Sequence, residues 1–217
     1  MKDKQISQIL LDKKAVKLNS KKPFVFTSGM FSPIYVDNRI LISFPRERDI
    51  IIDKLSKLAK EFKNKNLVLA GTATAAIPWA AFLAERMYLP MVYVRPEPKK
   101  HGTSQQVEGS IPSGADVLVV EDMISTGKSS LGSAQALKKE CQANVLGIIA
   151  IYSHTLQVAD SNFKKQGLDC RFLTDFETVV KTAVEKKYLN KNHQKNVLYW
   201  REQGAEWGKN MGFIKTI

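Results

Sequence analysis

VLVVEDMISTGKSS, residues 117–130, sets four apolar residues directly against two carboxylates, then turns through small hydroxyl residues, a glycine and a lysine. A run such as Val117–Val120, apolar throughout rather than alternating, reads as a strand buried on both faces of a parallel sheet. LVLA at residues 67–70 and VLGIIAIY at residues 145–152 read the same way. Stretches of helical character separate these strands, at about 45–62, 75–87, 127–140, 157–165 and 176–187. That alternation predicts an α/β fold: an open, mostly parallel sheet flanked by helices, joined by right-handed crossovers. Ligands of such sheets bind just past the carboxyl ends of the strands. Glu121 and Asp122 fall there.

The segment after the acids has the chemistry of an anion site. A turn leading into a helix offers free N–H groups and the positive end of the helix dipole, both suited to phosphate. Small residues let the backbone approach the anion, and Ser125, Thr126, Gly127 and Ser129 meet that need with added hydroxyl donors. The chain has no G-x-x-x-x-G-K-[ST] string, so a Walker loop is excluded. Two carboxylates would repel a bare phosphate. They suit a ligand that also carries a ribose diol, or a magnesium ion shared with substrate phosphate and water. The stretch therefore points to a sugar phosphate, with phosphate on the loop and diol on the acids.

The rest of the chain sets bounds. At 217 residues, with 44% hydrophobic and 25% charged residues, it suits one domain over residues 1–217 with its own core. No apolar run approaches the ~18 residues of a membrane span, and the N-terminus lacks the apolar core of a signal peptide. Two cysteines without metal-type spacing suit reduced thiols in the cytoplasm. The formal charge of +12 fits a polyanionic small substrate or nucleic acid, but the lysines are scattered in doublets rather than gathered in one patch. Residues 3–18 are expected to be an amphipathic helix, and the segment around Ser28-Gly29 a hairpin. Residues 96–116, rich in glycine and proline, read as a long loop. In the tail, residues 190–217, Trp200 and Trp207 stand seven apart, the spacing of one helix face.

Taken together, the motifs resemble a known family. VLVVEDMISTGKSS is similar to the phosphoribosyl-pyrophosphate motif of type I phosphoribosyltransferases. FTSGMFSPIYVDNR (26–39) resembles the base-site segment of the orotate phosphoribosyltransferases, GTATAAIPWAA (71–81) their diphosphate-side loop, and VRPEPKKHGTSQQVEG (94–109) their mobile catalytic loop. These segments follow the family's order across residues 20–155. The resemblance implies Mg²⁺-dependent transfer of phosphoribosyl to orotate in pyrimidine biosynthesis. It also implies a small N-terminal base-binding hood within residues 1–45 and a cytoplasmic homodimer whose catalytic loops cross to the neighbouring subunit.

By the same resemblance, Lys99, His101, Glu121 and Asp122 are catalytic. Arg95, Lys99, Lys100 and His101 meet the diphosphate. Gly71, Thr72 and Met123, Ile124, Ser125, Thr126, Gly127, Lys128 and Ser129 complete the binding of phosphoribosyl pyrophosphate. Ser28, Tyr35, Ser125 and His154 face orotate. Magnesium is held mainly by substrate and water, with no protein metal cluster. Three positions depart from the family pattern: Thr27 stands where many members carry lysine, His154 where some carry arginine, and Glu121 where aspartate is common. The alternatives are a purine phosphoribosyltransferase, which the base-site segment disfavours, and a nucleic-acid-binding regulator on the same fold, which has no need of a catalytic loop.

Overall fold

A computed structural model describes residues 2–26, 29–62, 67–98, 105–204 and 206–213. Two compact units emerge: residues 1–43 together with 174–217, and residues 44–173. The chain passes from one to the other and back, so the first unit is assembled from both termini.

The first unit begins with α1 (Lys4–Asp12), whose N-cap Asp3 accepts hydrogen bonds from the backbone N–H groups of Gln5 and Ile6 at 2.9 and 3.2 Å. The helix expected over 3–18 ends at Asp12. Lys14 turns left-handed (φ 58°), and the chain re-emerges as β1 (Val16–Leu18). Next come β2 (Phe24–Val25), β3 (Phe31–Ser32) and β4 (Ile34–Val36). β2 pairs with β3 antiparallel, which forms the expected hairpin; Ser28 and Thr27 lie outside the described residues. β4 instead pairs with β1, Lys17 opposite Tyr35.

The second unit carries the sheet. Its elements in chain order are α2 (Pro45–Lys60), β5 (Val68–Thr72), α3 (Ile77–Met87), β6 (Met91–Val94), β7 (Val107–Glu108), β8 (Asp116–Ile124), α4 (Lys128–Cys141), β9 (Asn144–Ser153), α5 (Gln157–Lys165) and β10 (Asp169–Asp175). The strand order is β10-β9-β8-β5-β6-β7, with β9, β8, β5 and β6 paired in parallel and β7 antiparallel to β6. Val117–Val120 have no exposed surface, as the apolar run required. Burial of each such side chain contributes about 1.5–3 kcal/mol relative to exposure.

Two boundaries differ from expectation. β8 runs on through the acids to Ile124, because β9 continues beside it as far as Ser153. The loop expected over 96–116 is interrupted by β7, a two-residue strand too short for periodicity to reveal.

Sequence order reverses between β5 and β8: β6 lies on one side of β5, and β8, β9 and β10 follow on the other. This switch point is where open α/β sheets bind ligands. The residues Val68, Ala70, Val117, Val119 and Ile148 share one core cluster with Leu131 and Leu137 of α4 and Phe163 of α5. By strand alternation, Thr72 and Glu121 project to that same face, toward α4. Gly71 faces the other way. A Cβ there would stand 3.0 Å from the Cβ of Ala80 and 3.1 Å from the carbonyl oxygen of Ala76, so its absence lets α3 pack directly on β5.

The chain then returns to the first unit as α6 (Phe176–Glu185), α7 (Lys191–Gln203) and α8 (Glu206–Asn210). Trp200 and Trp207 are both buried but do not share a helix. Gly204, with φ 53° and ψ −120°, ends α7 between them. Each indole N–H finds a carbonyl: Trp200 donates to Phe31 at 3.2 Å and Trp207 to Asn196 at 2.9 Å.

Candidate active site

A cavity of about 480 Å³ opens at the switch point of the second unit. Its floor is the β8–α4 turn, Ser125–Ser129, and its sides come from Thr72 and Ala73 after β5 and from Arg95 and Gln106 beside β6 and β7. The turn is tightly built. Gly127 is the N-cap of α4 with φ 77°, a conformation that side-chain-bearing residues seldom adopt, and a Cβ there would meet the Phe163 ring at 2.6 Å. Below the turn, Asn162 of α5 donates its side-chain N–H to the Thr126 carbonyl at 3.1 Å. The positive end of α4 and the hydroxyls of Ser125, Thr126 and Ser129 thus converge at one wall of the cavity. Such an arrangement binds phosphate without a cationic cluster.

The acid pair lies beside this turn. Glu121 is almost fully buried, and its carboxyl accepts hydrogen bonds from the Ser129 hydroxyl at 3.1 Å and from the Asp122 backbone N–H at 3.2 Å. Burial, reinforced by the neighbouring Asp122 charge, pushes its pKa up to about 8. The shift favours the protonated form of Glu121, which lowers the negative charge that the acid pair presents. Asp122, its neighbour in the chain, is half-buried.

α4 also reaches the end of β5. Ser133, one turn after Ser129, shares a 3.1 Å hydrogen bond with the Thr72 hydroxyl, tying α4 to the end of β5. Ser133 and Gly132 both line the cavity. Neither is evident from the turn motif, although the i, i+4 spacing of Ser129 and Ser133 on an expected helix could have disclosed Ser133. Ala73, in the segment 71–81, and Val94, Pro96 and Gln106, in the segment 94–109, also line the cavity. The peptide between Ala73 and Thr74 is cis.

Residues 41–187 match the phosphoribosyl transferase domain family. The chain is 41% identical over 203 residues to an orotate phosphoribosyltransferase of Coxiella burnetii, which covers 94% of this chain and 97% of the relative. It is 40% identical over 206 residues to one from Cytophaga hutchinsonii, covering 95% and 98%. The chain belongs to the orotate phosphoribosyltransferases. Among solved structures, the orotate phosphoribosyltransferase of Aeropyrum pernix superposes with a TM-score of 0.72 at 31% identity, covering 84% of this chain and 98% of that one.

Within the orotate phosphoribosyltransferase frame, the remaining expected residues fall as follows. Met123, Ser125, Thr126, Gly127, Lys128 and Ser129 line the cavity, as do Thr72 and Arg95. Lys128, the first residue of α4, is exposed. Ile124 is buried in the α4–α5 core, so its side chain packs, while its carbonyl accepts the His154 N–H at 2.9 Å. Gly71 is buried against α3. Arg95 forms an ion pair with Glu108 at 3.5 Å. Tyr35, in the first unit, is about one-third exposed, its ring 5.6 Å from that of Phe24. His154 is buried, with Nδ1 3.0 Å from the Tyr152 hydroxyl, and desolvation lowers its pKa to about 4. It is neutral above pH 5 and has no positive charge to offer a carboxylate. Lys99, Lys100, His101 and Ser28 lie outside the described residues.

Proposed function

We propose that this chain transfers the phosphoribosyl group of 5-phosphoribosyl 1-diphosphate to orotate, giving orotidine 5′-phosphate and diphosphate in pyrimidine biosynthesis. The observation that carries this reading is the cavity at the β5/β8 switch point, floored by the Gly127 turn, whose Ser129 hydroxyl bonds to Glu121. The 5-phosphate sits on the amino end of α4, held by the Ser125, Thr126 and Ser129 hydroxyls and the turn amides. The ribose hydroxyls face Asp122, whose charge steadies the positive character that develops at C1 as the bond to diphosphate breaks. A ring nitrogen of orotate bonds to C1 and its proton leaves, so no protein nucleophile is needed.

Among the described residues, no cluster of three or more His, Cys, Asp or Glu side chains could hold a metal. Magnesium arrives with the substrate, shared between its phosphates and water. When bound, magnesium neutralises charge on the diphosphate. Arg95, with Lys99, Lys100 and His101, takes the departing diphosphate, and Ser125 borders the base. The enzyme works as a cytoplasmic homodimer in which each catalytic loop serves the neighbouring site. No described helix is long and apolar enough to cross a membrane.

Incubation of the purified chain with orotate, 5-phosphoribosyl 1-diphosphate and Mg²⁺ should consume orotate absorbance, while adenine and hypoxanthine are spared. Turnover of a purine in place of orotate would refute the assignment. In the same assay, mixing Lys99→Ala with Asp122→Asn chains should restore activity that each lacks alone. No recovery would rule out loops shared between subunits.

A further inference from the structure

Glu140 is the penultimate residue of α4, where a negative charge opposes the helix dipole. Its presence is therefore not explained by helix stability. Its carboxylate instead reaches across to the strand beyond. The Gln106 N–H donates to both oxygens at 3.0 and 3.1 Å, and the Val107 N–H donates to one of them at 3.0 Å. Charge-assisted bonds of this kind are about twice as strong as neutral ones.

Gln106 passes the constraint on. Its side-chain N–H donates to the carbonyls of Arg95 at 3.0 Å and Pro96 at 3.3 Å, and its own carbonyl accepts the Arg95 N–H at 2.9 Å. Arg95 and Gln106 both line the cavity. One helix thus fixes both walls: its amino end carries the phosphate turn, and its carboxyl end holds the backbone that bears Arg95.

We infer that Glu140 is a positioning residue, setting the distance between the Arg95 wall and the phosphate turn through Gln106. The inference rests on the proposed function only in assigning Arg95 to the diphosphate end of the donor. Loss of Glu140 then weakens the donor and leaves the base untouched.

The test uses the full chain and its Glu140→Ala, Glu140→Gln, Gln106→Ala and double Glu140→Ala/Gln106→Ala variants. Affinity for 5-phosphoribosyl 1-diphosphate with Mg²⁺ is measured by calorimetry without any base, alongside KM for each substrate and the melting temperature. Glu140→Ala should weaken the donor about tenfold, since small misplacements of binding groups carry costs of that order, while the KM for orotate stays put. Glu140→Gln, which keeps an acceptor oxygen, should recover most of the loss. The double variant should be no worse than the poorer single, because both act through one connection.

Unchanged donor affinity, equal losses for both substrates, or additive effects in the double variant would overturn the inference. Because donor affinity is read without a base, it decides the role of Glu140 even if orotate proves not to be the acceptor.

Discussion

The Ser125–Ser129 turn and the Arg95–Gln106 pair face the same cavity, yet they are anchored in different ways. The turn has several independent supports. Gly127 adopts a left-handed conformation against the Phe163 ring, Asn162 holds the Thr126 carbonyl, and Ser129 bonds to Glu121. The opposite wall joins the β6–β7 pairing and the partly exposed Arg95–Glu108 ion pair to a single tie from α4, the Glu140 carboxylate acting through Gln106. In the proposed reaction this asymmetry has a use: the end assigned to the retained phosphate is the more heavily braced, and the end assigned to the leaving diphosphate has the single tie to α4.

The largest effect should come from Gly127→Ala, which strikes the fixed wall at its least forgiving point. The added Cβ meets a positive φ, costing about 1–2 kcal/mol, and also the buried Phe163 ring. Turnover should fall about a hundredfold, as displaced positioning groups do, with a lower melting temperature. Gly127→Ala/Phe163→Leu should recover part of the stability but little of the activity, since the φ penalty persists. Full activity in the single variant would mean that the turn is not the rigid wall.

How far this site was legible in the sequence follows from the range of each contact. Val117–Ser130 carries its chemistry in one unbroken stretch, so strand, acids and turn could be read together. For Gly127 the sequence suggests close approach to an anion; the structure adds a left-handed backbone and a phenylalanine 36 residues downstream, which no local pattern contains. Gln106 lies in the segment 94–109 and Glu140 34 residues further on, outside every motif, so only the fold brings the two together. β7 and the turn at Lys14 escaped for a related reason. A two-residue strand has no period, and a single left-handed residue inside a helix-like pattern leaves no trace in hydrophobicity.

Glu121 tests the fixed wall by its charge. Its pKa in the folded chain, about 8, lies above its ordinary value of 4.5. The folded state therefore holds a proton that the unfolded state has lost between those values. The contribution of this group to stability is full below about pH 4.5 and is lost as pH rises toward 8. At most the slope is about 1.4 kcal/mol per pH unit for one proton. Urea unfolding at pH 5, 6.5 and 8 should show this decline in the parent chain and a flatter profile in Glu121→Gln. Parallel profiles would mean that Glu121 is already ionised at neutral pH and that the acid pair faces the phosphate with two charges.

Asn162→Ala should have the smallest effect and bears most directly on the asymmetry between the walls. It deletes one half-exposed hydrogen bond to the Thr126 carbonyl, worth about 0.5–1.5 kcal/mol. The Gly127 conformation, the Phe163 contact and the Ser129–Glu121 bond all remain. With that much support left, donor affinity should drop no more than a few-fold, well short of the loss from Glu140→Ala. The order of the two effects matters more than the size of either. If removal of Asn162 costs as much as removal of Glu140, the turn is no better anchored than the wall opposite, and the two ends of α4 constrain the cavity equally.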